Sequence, residues 1–472
     1  MTQHNLSAPE VAHRLPGPPC PWFGAPHMQA ISRDFLGYTR QMHREWGDIV
    51  FVQMYWEKVC LLGSPELVRA VMVDNAASLI RQERAIEVFS RVQGPSVMMA
   101  EGEDWQRLHR LLMPAFSPRR VAGYARLMVD AATPLLDRLV PDMPGASGLI
   151  NMDELTARVT MDVICRTLFS TDLGDTARQV TKASHALNEI AMQELMVPLT
   201  LPDSWPLPGK AAKRHAMRLF DEVIDKHIAD RRQMPVDQAP QEDVLALLLA
   251  ARDEEGGGRL SEAELRAQCK VIFLAGFDTS AKALQWWAWL MAAHSDKAAL
   301  AHEEVSRVLG ARTPQAEDLP QLPYLTATIK ETLRLYPPAA GLLTRRAVKE
   351  IKVGPWTIPR RSMIIVAPWV LHNDARSFPQ PESFRPERFM PDAPPLPRSA
   401  WMPFGLGPRV CIGQHFAMTE MTLVAAMLLQ RYELSKEPGQ PEPVAQLNLT
   451  LRPAQTLFLR MRRREPAHER QV

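Results

Sequence analysis

The chain of 472 residues is short of cysteine, of net charge and of long apolar runs, and each shortage removes a class of protein. Its five cysteines, Cys20, Cys60, Cys165, Cys269 and Cys411, are odd in number and widely scattered. That argues against a disulfide framework and for a reducing compartment, the cytoplasm. No two of them form a CxxC pair, so the common zinc and dithiol spacings are missing. A formal net charge of +2 gives no footprint for nucleic acid or an anionic membrane. No run of about 18 apolar residues occurs, so no transmembrane anchor is expected. Residues 1–10 are polar and lack the basic and apolar regions of a secretory signal.

What is present is ordinary in bulk. Hydrophobic residues make up 46% and charged residues 23%, as in a globular protein with a sizeable core. No linker is rich enough in Gly, Ser or Pro to separate an independent domain, so 1–472 is expected to form one domain, with 1–15 disordered and 463–472 a tail. Apolar periodicity predicts helices over 108–112, 124–139, 152–169, 211–231 and 244–251. Runs rich in Val, Ile and Trp over 51–62 and 351–367, the second broken by Gly354-Pro355, predict a small sheet. The expected fold class is therefore mainly α with a minor β portion. Gly256, Gly257 and Gly258 form a connector, and Ser261-Glu262-Ala263-Glu264 is a capping box opening a long proline-free helix over 262–293. In its middle lies Ala275-Gly276-Phe277-Asp278-Thr279-Ser280. Glycine costs a helix interior about 1 kcal/mol and Thr, Asp and Ser are mediocre formers. Their clustering predicts a local distortion serving a site; the plainer alternative is a polar outer face.

The most informative segment is Phe404-Gly405-Leu406-Gly407-Pro408-Arg409-Val410-Cys411-Ile412-Gly413. It sets a cysteine in a glycine-rich loop, two residues after an arginine and just before an apolar run, 416–429, that reads as a helix. A sulfur at a helix N-terminus among backbone N–H groups is favoured as a thiolate, a candidate axial ligand of haem iron. Plainer readings fit less well. A dinucleotide loop would need a third glycine, and Pro408 removes an N–H. A zinc half-site of Cys411 and His415 has no second pair. A merely buried cysteine would not need three glycines and an arginine around it.

The segment resembles the cysteine-ligand signature of the cytochrome P-450 superfamily, the haem-thiolate monooxygenases, in a soluble bacterial-type form. Three further motifs resemble that family in the expected order, over roughly residues 16–462. Ala275 to Ser280 is similar to its oxygen-activation motif, which implies that Thr279 hydrogen-bonds the activated oxygen, Asp278 relays protons, and Ala275 and Gly276 give room beside the haem. Glu331-Thr332-Leu333-Arg334 and Phe384-Arg385-Pro386-Glu387-Arg388-Phe389 resemble its structural triad, which would join Glu331, Arg334 and Arg388. Trp105 and His109 match a propionate-binding helix, with Arg409 as a further propionate ligand. An arginine after Pro338 is also implied, and Arg345 and Arg346 compete for that place. Phe404 and Gly413 would complete the haem b pocket, with Cys411 on the iron.

The resemblance implies the family fold, with haem between the long helix and the helix after Cys411, and O2-dependent insertion of one oxygen atom into an apolar substrate. A fatty acid, terpenoid or steroid-like compound is the expected class, contacted from 80–99, 192–208, 339–343 and 454–456. No reductase sequence follows Phe458, so electrons from NAD(P)H are expected through a separate ferredoxin or flavodoxin-like donor and its reductase. A peroxide-driven hydroxylase or haem-thiolate isomerase or lyase would share the cysteine loop, yet such relatives often lack the Asp278-Thr279 pair. A haem sensor would have no use for a proton relay.

Overall fold

Alternation along the strands builds the first of two compact units. The structure is a computed structural model that describes residues 15–465, except 144, 173, 198, 208, 236, 237, 239, 241, 254–257 and 342. Nearly all of the expected N-terminal disorder, most of the tail and two of the three connector glycines lie outside the described residues. The smaller unit takes in the chain up to Gln82, Gly341–Ser377 and Pro397–Val410. Its five-stranded sheet runs in the order Ile49–Met54, Glu57–Leu62, Met363–Val366, Leu343–Ala347, Leu79–Arg81. All neighbours are antiparallel except Glu57–Leu62 with Met363–Val366. Ile49, Cys60, Leu62, Ile364 and Val366 point to one face, which packs on Val68, Val71 and Met72. Val50, Val52, Val59, Leu61 and Ile365 point to the other, covered by Ile31, Tyr38 and Met42 of two helices, Ala25–Arg33 and Phe35–Trp46. A sheet covered on both faces needs near-continuous apolar strands, which is what 51–62 supplies. The run 51–62 forms most of a hairpin, Ile49–Met54 and Glu57–Leu62. Its turn holds Tyr55 at φ +54, a conformation that glycine or asparagine would have advertised.

The larger unit, Glu83–Ala340, Phe378–Leu396 and the chain from Cys411 on, is helical. Helix Glu262–Ala293 starts at the Ser261–Glu264 capping box and matches the predicted span. It packs on Met152–Phe169, which packs on Pro118–Leu136, which packs on Gln414–Arg431. It is buried around most of its circumference, polar residues such as Gln268, Lys282 and Gln285 included, as a helix enclosed by others is. Trp286, Trp287 and Trp289 are all but fully buried. A buried indole N–H needs an acceptor, and Trp286 donates to the Leu451 carbonyl at 3.3 Å and Trp287 to the Thr328 hydroxyl at 2.9 Å. Trp286 also stacks on Tyr336, ring centroids 3.8 Å apart. A three-stranded antiparallel sheet, Ser147–Asn151, Phe458–Arg463, Tyr432–Lys436, completes the unit together with a two-stranded hairpin, Ala445–Leu447 and Leu451–Pro453. No helix among the described residues is long and apolar enough to cross a membrane.

Candidate active site

The cysteines separate by environment. Cys60, Cys165 and Cys269 are 0% exposed, and burial pushes their thiols up, Cys60 and Cys269 to about 12. Buried thiols of this kind are inert. Cys20 is half-buried and accepts the Gln53 N–H at 3.2 Å. Cys411 is the exposed one. In the smaller unit the loop before it turns on Gly405 and Gly407, both at φ +81, the left-handed region that glycine takes at little strain. At 407 a Cβ would also lie 2.2 Å from the Met72 carbonyl oxygen. In the larger unit Gly413 is the N-cap of helix Gln414–Arg431, its carbonyl accepting the Ala417 N–H at 2.9 Å.

The loop by itself does not hold Cys411 as an anion. Burial pushes its thiol above the ordinary value, and the Gly413 N–H pulls the other way without prevailing. The residue as a whole is exposed, yet its thiol group is desolvated by the protein around it. The thiolate expected from the helix end therefore needs a bound cation, such as a metal ion, to be the favoured form.

Helix Glu262–Ala293 opens where the sequence suggested. Between 267 and 291 every residue is buried except Leu274, Ala275, Gly276 and Thr279, and the last three fall on one face. The helix runs unbroken here, so the expected distortion reduces to a side-chain bond, Thr279 Oγ1 donating to the Ala275 carbonyl at 2.8 Å. Gly276 has a packing reason as well, since a Cβ there would lie 2.9 Å from Ile164 Cδ1 of the neighbouring helix. Asp278 is only 4% exposed. Its Oδ2 accepts from the Thr450 hydroxyl at 2.9 Å and from Asn188 Nδ2 at 3.3 Å, and its Oδ1 lies 4.0 Å from His185 Nε2. These three partners stand far from Asp278 in sequence, and no local pattern pointed to them.

The other candidates are divided between the units. In the larger one, Trp105 and His109 lie one helical turn apart on Gly102–Leu112, ring centroids 5.0 Å apart. Arg107 pairs with Glu264, tying that helix to the capping box of the long one. In the smaller unit, Arg345 and Arg346 are neighbours on a strand and so point to opposite faces of the sheet. Arg346 makes a bidentate pair with Glu57, at 2.6 and 2.9 Å. Phe404 lies 6.3 Å from the Trp401 ring, centroid to centroid, and Arg409 is half-buried.

The expected triad is in place within the larger unit. Arg334 donates to Glu331 at 2.8 and 2.9 Å, both side chains 0% exposed, and Arg388 donates to Glu331 at 3.3 Å. Glu331 also accepts the Arg385 N–H at 2.9 Å, and Arg334 donates to the Ser383 carbonyl at 3.2 Å. The triad thus pins the segment after Phe378 to helix Pro323–Leu335. A polar group that the sequence reading passed over is Glu420, 0% exposed on helix Gln414–Arg431. Burial pushes its carboxyl up to about 8, with Ser280 beside it pulling down. Neither of its oxygens has a hydrogen-bond partner of good geometry among the described residues.

Of the segments expected to contact substrate, 80–99 contains helix Glu83–Gln93, and 192–208 contains the end of Ala177–Met196 and the connection after it. Residue 342 and residues 198 and 208 lie outside the described set.

A haem fits this donor set. One cysteine is exposed and one half-buried while three are sealed, small residues open one face of a helix that is otherwise enclosed, and a hydroxyl on that face has an acid beside it in sequence. Such a combination defines a haem-thiolate oxygenase. The cytochrome P450 family model matches residues 15–460, and the chain belongs to that family. It is 35% identical over 416 residues to cyclooctatin synthase of Streptomyces melanosporofaciens, covering 86% of this chain and 87% of that one. It is 31% identical over 417 residues to cyclooctat-9-en-7-ol 5-monooxygenase of the same organism, covering 88% of each. A bifunctional cytochrome P450/NADPH–P450 reductase of Bacillus subtilis is 30% identical over 378 residues, 77% of this chain and 35% of the relative. The family implies a haem cofactor and a P450-type monooxygenase activity.

Proposed function

We propose that the chain is a haem b monooxygenase that hydroxylates an apolar substrate of terpenoid, steroid or fatty-acid size, with both units serving one catalytic domain. The observation that carries this reading is the conjunction, in the larger unit, of the accessible Cys411 and the open face at Ala275, Gly276 and Thr279. The relative named for oxygenating cyclooctat-9-en-7-ol supports a cyclic alkenol or similar terpenoid as the first class to try.

On the family resemblance, Cys411 would hold the iron and Trp105 and His109 the propionates, with Gly413 on the cysteine side; Arg409, Phe404 and one of Arg345 and Arg346 are the smaller unit's candidates for the same group. Arg346 pairs with Glu57 and Arg345 donates to the Thr344 carbonyl at 2.9 Å, so the two still compete. The bound haem supplies O2 activation. The chain's own residues supply protons and exclude water. Thr279, with its proton given to the Ala275 carbonyl, keeps its lone pairs to accept a hydrogen bond on the open face. Asp278, held by Asn188 and Thr450, is the carboxylate that stores a proton one residue away. Electrons come from NAD(P)H through a separate ferredoxin or flavodoxin-like protein and its reductase; this part rests on the family resemblance.

The test is turnover with a reconstituted donor and a panel of terpenes, steroids and fatty acids. Thr279→Ala should keep consuming electrons while product falls and hydrogen peroxide rises. Unchanged product per NAD(P)H would make the segment a polar helix face.

A further inference from the structure

We propose that His185 is the positioning residue that links Asp278 to solvent protons, a role that rests on the monooxygenase reading above. Three observations converge on the ring. His185 sits on helix Ala177–Met196 with its side chain 38% exposed, yet its Nε2 atom is buried and has no hydrogen-bond partner among the described residues. That atom is the one aimed at Asp278, 4.0 Å from Oδ1. Asp278 already has Asn188 and Thr450 on its other oxygen, so Oδ1 is the side left toward the ring. A half-exposed imidazole with one wet edge and one dry nitrogen facing a buried carboxylate has the shape of a proton entry point.

The groups facing the ring set when it is charged. Asp278 and Lys282 face it from the long helix, Asp153 from helix Met152–Phe169 and Arg452 from strand Leu451–Pro453. Lys282 is itself paired with Asp153 at 3.3 Å, and Arg452 with Glu189 at 3.6 Å. Burial first, then the Lys282 ammonium, holds His185 below the ordinary imidazole range, against the pull of Asp278. The ring is therefore neutral at pH 7 and charges only transiently. One proton moves at each passage. The imidazole takes it from solvent, Nε2–H closes on Oδ1, and the carboxylate accepts it. His185 returns to the neutral ring, and Asp278 to the carboxylate once its proton has gone on toward Thr279. No oxidant or second reactant enters.

The test compares His185→Gln, which keeps a side-chain N–H donor but cannot titrate, with His185→Phe, which keeps neither. In the haem-loaded protein with a reconstituted donor, wild-type product formation should climb as pH falls below neutral. In His185→Gln that climb should disappear. In His185→Phe product should drop by about tenfold, less than the roughly 100-fold expected for a group that transfers a proton directly to the reacting atoms. Separately, the His185 ring titration is read by NMR on histidine-labelled, reduced, CO-bound protein in wild type and Asp278→Asn. Removal of the carboxylate charge should move its midpoint lower. An unmoved midpoint, or a His185→Gln pH profile identical to wild type, overturns the proposal. If the monooxygenase reading itself failed, there would be no product in any variant, while the NMR coupling between His185 and Asp278 would still be read.

Discussion

Glu420 gives the sharpest quantitative expectation. Its carboxyl is fully buried without a well-placed partner, and its folded-state value lies at about 8 against an ordinary 4.5. The folded chain therefore binds a proton that the unfolded chain releases. The penalty is absent below about pH 4.5, grows as pH rises, and levels off above 8. Between pH 4.5 and 7 the span is about 2.5 units, which at 1.36 kcal/mol per unit comes to roughly 3 kcal/mol at pH 7. Glu420→Gln keeps the shape and removes the titration. Urea unfolding of the haem-loaded variant and wild type, at several pH values between 5 and 8, isolates the term as a difference. Stability of the variant relative to wild type should rise by roughly 3 kcal/mol across that range. The fixed cost of burying an amide shifts the whole curve without changing its slope. A difference independent of pH would show that Glu420 is ionised or solvated in the folded protein, and the reasoning from burial would fail.

Two further substitutions test packing. Glu331→Ala leaves Arg334 and Arg388 without their shared carboxylate. Stranding buried charge costs about 3–5 kcal/mol, so little haem-loaded protein should be recovered, and normal yield would refute the triad's structural role. Gly276→Ala gains about 1 kcal/mol of helix propensity but drives a methyl into Ile164 Cδ1, where overpacking costs about 1–3 kcal/mol. It should lower Tm in the wild-type background and raise it beside Ile164→Val, which removes that methyl; equal effects in both would separate Gly276 from Ile164.

How much was readable follows from how local each signal is. The long helix was legible to the residue because Ser261 and Glu264 satisfy each other's neighbours within one turn, and a proline-free apolar run follows. The cysteine loop was legible because its two left-handed positions admit glycine and little else. The triad was legible on its Glu331–Arg334 side, where the spacing is one helical turn. The hairpin at Tyr55 was not, since a turn without glycine or asparagine carries no mark. Neither was the shell around Asp278, which Thr450 joins from 172 residues away in the chain. Glu420 stayed hidden because one acid in an apolar run reads equally as an exposed position; only the packing of Gln414–Arg431 against its neighbours decides.

The central claim is that Cys411 supplies the sulfur ligand of a haem, and the reduced, CO-bound absorbance spectrum of the purified protein tests it most directly. Wild type, and variants with Cys165 or Cys269 replaced by alanine, should show the strongly red-shifted Soret band that thiolate ligation gives. Cys411→Ala should lose that band. Retention of the band in Cys411→Ala, or its loss on replacing a sealed cysteine that still leaves the protein folded, would contradict the account.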